Sequence, residues 1–195
     1  MPELTEQGLF PAEHRALREL HATASQVRTH WAKLERRLDE PVLGDGAAAA
    51  DELLRQLEAR VDLSGRPAAQ GGGAGLAGVR RLADVLLERN QALRSALLDI
   101  QHVVTLLGYL AGLARTRGDV ELEAWHLGWE HRLRALEDRG RAAAAALAQD
   151  PDRAIEPAED GALGRAGAKL GVALGTVGEA LDQSPLGRLA RRRAT

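Results

Sequence analysis

The stretch LLDIQHVVTLLGYLAGLARTRGDVELEAWHLGWEHRLRAL, residues 97 to 136, decides the fold. Two runs of apolar residues at helical spacing flank Gly118-Asp119. Glycine is suited to ending one helix and aspartate to capping the next. So short a link between two long helices forces an antiparallel hairpin.

Extended outward, the first arm reads Val79, Ala83, Leu86, Asn90, Leu93, Leu97, Ile100, Val104, Leu107, Ala111 and Ala114, with gaps alternating four and three. This seam predicts one helix from about Leu76 to Arg117, roughly 60 Å long at ~1.5 Å per residue. Beyond Leu97 the apolar arc widens to include Val103, Leu106, Leu110 and Leu113, so that half needs more than one neighbour. The second arm, about Val120 to Gln149, carries Leu122, Trp125, Trp129, Leu133, Leu136, Gly140, Ala143 and Leu147 as its seam. Alanines 111 and 114 leave room for the two tryptophan rings beside Leu107.

Upstream, Leu17, Leu20, Ala24, Val27, Trp31, Leu34 and Leu38 mark a helix opening near Pro11 and ending at Pro41 and Gly44. A shorter helix is expected from about Gly46 to Val61. Residues 62 to 75, with Gly71-Gly72-Gly73, read as a flexible connector. After Asp150-Pro151, the segment from Gly161 to Asp182 has a leucine stripe beside a glycine stripe that includes Gly171, Gly175 and Gly178. Glycines so placed suggest close packing against another backbone, on this bundle or on a second copy. The organisation expected is therefore 1–61 N-terminal helices, 62–75 linker, 76–149 long hairpin, and 150–195 glycine-rich helix with a basic tail. The fold class is all-α, an elongated up-down antiparallel bundle.

Composition narrows the function classes. The 195 residues are 45% hydrophobic but only 3% aromatic, which suits helices better than sheets. There is no cysteine, which removes disulfide and thiol chemistry and fits a reducing cytoplasm. The net charge of -2 gives no reason to expect nucleic acid as a partner. The N-terminus lacks the basic start and apolar run of a secretory signal. The uncharged stretch from Val103 to Ala114 is short for a membrane span and reads as a buried helix. No serine sits in a Gly-x-Ser-x-Gly elbow, and no glycine run carries Gly-Lys-Ser/Thr.

Glu123, His126 and Glu130 share one stripe of the second arm, and Asp99 and His102 lie three apart on the first. The Glu123-x-x-His126 spacing resembles the pairs of di-iron carboxylate bundles, and His126-x-x-x-Glu130 resembles one helix of hemerythrin. A di-iron site draws ligands from four helices, whereas these fragments come from two, with His102 turned away from the hairpin seam. The expectation is thus no metal and no cofactor, with a metal-binding redox or storage bundle as the alternative. Asn90, the one amide in an apolar seam, either fixes register or sits at a solvated helix end. The leading functional expectation is a non-enzymatic interaction protein, self-associating as a homodimer through helix contacts. Asn90, Trp125, Trp129 and the glycines 171, 175 and 178 are its interaction residues. A second alternative is a membrane-surface adaptor using the leucine stripe and the arginines of residues 161 to 193.

Overall fold

A computed structural model describes residues 8–61 and 87–158, and among them the fold is an all-α bundle without strands. Four long helices build it: α1 (Pro11–Leu38), α2 (Pro41–Arg60), α3 (Arg89–Arg117) and α4 (Val120–Ala146). A 3-10 turn (Leu147–Gln149) and a short α5 (Pro151–Ala154) follow. The linker at 62–75 and the glycine-rich segment with Gly171, Gly175 and Gly178 lie outside the described residues.

The α1 seam packs as its spacing demands: Leu17, Leu20, Ala24, Val27, Trp31, Leu34 and Leu38 are all buried. Asp39 adopts the left-handed conformation (φ 53) that ends α1, its N–H bonded to the Glu35 carbonyl at 2.9 Å. Aspartate tolerates that region better than most residues with a Cβ. Pro41 then opens α2 as its first residue rather than stopping α1, because its fixed φ suits a first turn and its missing N–H has no partner to lose. Gly44 and Gly46 accordingly lie inside α2. A Cβ on Gly46 would run into the Trp31 ring and stand 3.2 Å from Leu136, so this glycine is required by close packing and not by a turn.

At the hairpin, Gly118 (φ 82) caps α3, and the Asp119 carboxylate accepts the Leu122 N–H at 2.9 Å to start α4. The widening arc of α3 is covered from two sides: Val103, Leu106 and Leu110 are buried together with Val104, Leu107 and Ala111. The helix starts at Arg89, later than its seam predicts. Glu88 is extended, its N–H bonds the Gln91 side chain at 3.3 Å, and it pairs with Pro157 in an isolated antiparallel bridge. The Arg89 N–H meets the Glu156 carbonyl at 2.9 Å, and the Ala158 N–H meets the Leu87 carbonyl at 3.0 Å. By length and composition α3 could cross a membrane, yet 56% of its most apolar window is buried within the bundle.

Cross-helix pairs fix the directions. Glu13 meets Arg117 at one end of α1 and α3, and the Arg89 guanidinium reaches the Arg37 and Leu38 carbonyls at the other. Arg139–Asp45 and Arg60–Glu121 do the same for α4 and α2. Every neighbouring pair is therefore antiparallel, and the chain order is up, down, down, up. Val61 and Leu87 fall at opposite ends of the bundle.

Two glycines give opposite expected responses. Gly46→Ala should destabilise by about 1–3 kcal/mol, because overpacking against a fixed indole outweighs the helix propensity gained. Gly128→Ala, where a Cβ meets nothing within 4 Å, should stabilise by up to about 1 kcal/mol. Urea denaturation midpoints measure both, and equal responses would exclude the proposed Gly46 packing role.

Candidate functional site

Polar groups gather at the end of the bundle where α1 begins, α2 stops and α3 turns into α4. Glu13, in the first turn of α1, is fully buried there. It accepts from Arg117 Nε at 3.2 Å and Nη2 at 3.0 Å, and from the Phe10 N–H at 3.3 Å. Arg117 also meets Asp119 at 3.1 Å. The Glu13 hydrogen bond, with the charges of Glu13 and Asp119, raises the Arg117 pKa above its ordinary value. Beside this cluster opens a cleft of about 430 Å³ lined by Leu9, Arg60, Val61, Arg117, Asp119, Glu121 and Leu122.

One wall of the cleft leads to the tryptophans. Arg60 bonds Glu121 at 3.0 Å, and its guanidinium lies 5.4 Å from the centre of the Trp125 ring. Trp125 and Trp129 donate their indole N–H groups to one acceptor, Gln56 Oε1 of α2, at 2.9 and 3.0 Å. The Gln56 amide donates to Glu52 at 2.6 Å and so holds that carboxyl below its usual pKa. Trp129 is buried but Trp125 only half so, and their shared acceptor turns both toward α2. Trp129 keeps its place in the buried seam, whereas Trp125 lies at the margin of the core against α2.

The seam position goes instead to His126, which is fully buried. Reading Leu122, His126, Trp129, Leu133, Leu136 and Gly140 restores an unbroken four–three alternation that Trp125 interrupts, so spacing alone could have found it. Neither ring nitrogen of His126 has a hydrogen-bond partner among the described residues, and the Trp125 ring stands edge-on to it at 4.9 Å. Burial lowers its pKa from 6.5 to about 4; Asp119 opposes that shift and Arg60 adds to it.

The other candidate metal ligands are dispersed. Glu123 pairs with Arg115 at 2.6 Å, Glu130 with Arg134 at 2.6 Å, and His102 with Glu19 of α1 at 3.0 Å. Asp99 is buried and meets His30 of α1 at 3.3 Å, a partner its own helix did not reveal. Among the described residues, no three His, Asp or Glu side chains come together as metal ligands do. Asn90 lies in the first turn of α3, where its amide donates to Ala154 at 2.9 Å and Glu88 at 3.1 Å. It thus ties the start of α3 to α5 and does not sit in the middle of a seam, because the helix begins only at Arg89.

A histidine that stays neutral when folded but protonates when unfolded makes stability depend on pH. The unfolded chain binds the extra proton below pH 6.5, so stability falls from there down to the folded pKa of about 4, by up to about 3 kcal/mol. His126→Leu should flatten this part of the profile, read as the difference in denaturation free energy between the two proteins from pH 7 to pH 4; parallel profiles would contradict it. Arg117→Met should cost about 3 kcal/mol at neutral pH by leaving the Glu13 carboxylate buried without its guanidinium. A loss below about 1 kcal/mol, typical of surface pairs, would show that this pair is not a stabilising anchor. No protein family, curated protein or solved structure matches this chain.

Proposed function

We propose that this chain is a non-enzymatic protein that works through helix-to-helix contacts and associates with copies of itself. The observation that carries this reading is the solvent face of α3. For about five turns between Arg94 and Arg115 that face bears no Asp, Glu, Lys or Arg side chain. Its exposed residues are Leu98, Gln101, His102, Thr105, Tyr109 and Gly112, with Leu98 59% and Tyr109 52% exposed. A helix facing only water usually alternates charges along such a stripe. The carboxylates considered as ligands are, by contrast, engaged in pairs that hold helices or helix turns together: Asp99 with His30, Glu123 with Arg115, Glu130 with Arg134.

Light scattering and native mass spectrometry on the same untagged sample test the reading. The mass should rise from 20.9 kDa toward twice that value with concentration, without a bound metal. A monomer at every concentration refutes self-association. A stoichiometric metal would shift the reading to the metal-binding alternative.

A further inference from the structure

The α3 face has a pattern that selects one partner. Large and small residues lie at matching distances on either side of Thr105. Leu98 is seven residues before it and Gly112 seven after. Gln101 and Tyr109 are four away on either side, and His102 and Gly108 three away. A Cβ on Gly112 would meet nothing within 4 Å, so the space above it is open. If a second α3 is laid antiparallel on the first, with Thr105 facing Thr105, each Leu98 stands over the Gly112 gap of the other copy. Each Tyr109, on the side of the face toward α1, then meets His102 of the other copy. A parallel arrangement would instead set Tyr109 against Tyr109 and leave gap facing gap.

The flank on α4 continues this face. Leu97 lies against Gly140, Gly108 against Glu130, and Arg115 against Glu123, so Thr105 is level with about Leu133. The stripe of α4 beside this face carries Glu123, Leu127, Glu130, Arg134, Glu137 and Arg141, with acidic and basic residues alternating from Glu130 onward. Under the same antiparallel two-fold this stripe faces its own copy, so a surface of mixed sign meets another of mixed sign and not a block of like charge.

From these observations we propose that two copies of this chain pack antiparallel through the solvent face of α3, on a two-fold axis beside Thr105. The inference rests on the self-association reading and names its surface. A face roughly 33 Å long and about 20 Å wide, two helix diameters, covers on the order of 600 Å² per copy. That lies at the low end for specific interfaces, so the dimer is reversible and concentration-dependent rather than obligate.

The absence of cysteine makes cross-linking a clean test. Helix axes ~8–10 Å apart bring facing Cα atoms to about 3.5–5.5 Å, a spacing that overlaps disulfide geometry. Under mild oxidation of the full chain, Thr105→Cys should form a covalent dimer at least tenfold faster than Thr116→Cys. Thr116 is exposed on the same face but stands about 33 Å from its symmetry mate in this arrangement. Gly112→Gln should weaken association at least tenfold while melting at or above the parent temperature, since the gap lies outside the protomer's own core. Equal cross-linking of both cysteine variants would indicate parallel or random contact and overturn the proposal. A dimer in solution that Thr105→Cys does not trap, and that Gly112→Gln leaves intact, overturns this interface but keeps self-association. A wild-type chain that is always monomeric removes both.

Discussion

The Trp31 indole fills the place where three helices meet, and the rest of the bundle is arranged around it. It is fully buried on α1, and its ring occupies the volume that any side chain at position 46 of α2 would need. Leu136 of α4 closes the same space from the other hairpin. Interiors pack at nearly crystalline density, so a ring of this size fixes both the spacing of α1 and α2 and the depth at which α4 docks. Gly140 against Leu97 repeats the device between α3 and α4, with a small residue on one helix admitting a large one from its neighbour.

Much of this was legible in the sequence, because helical burial follows spacing. The α1 seam and the α3 seam from Leu93 onward are buried residue for residue. The turn at Gly118-Asp119 was equally plain. Glycine and proline were harder to read, since one residue type serves several purposes. Gly44 and Gly46 resemble breakers, yet they lie within a helix that Pro41 opens. The start of α3 at Arg89 depends on a clasp with Glu156 and Pro157, far along the chain, and no local pattern announces it.

The polar end of the bundle was legible only in part. Spacing put Glu123, His126 and Glu130 on one stripe, but a stripe does not reveal which residues turn inward. His126 is drawn into the core by the alternation of the seam, while Glu123 and Glu130 are held by arginines at its margin. The Glu13–Arg117 and His30–Asp99 pairs join helices remote in sequence, and only the mutual orientation of the hairpins brings them together. The same orientation leaves one side of α3 facing outward without charge, a property visible in the residues but meaningful only once the other sides are covered.

The up, down, down, up order also bears on how the chain reaches its native state. Each hairpin closes through a link of two residues, Asp39-Glu40 or Gly118-Asp119, so its contacts are local and form at little entropic cost. Contacts between hairpins require closure across residues 62–86, a cost that grows only slowly with the length of that stretch. Each hairpin therefore has the makings of a cooperative unit, with docking as the later and slower event. The contacts that join the hairpins, Trp31 with Leu136 and Glu13 with Arg117, belong to that late step. Weakening them should speed unfolding more than it slows folding.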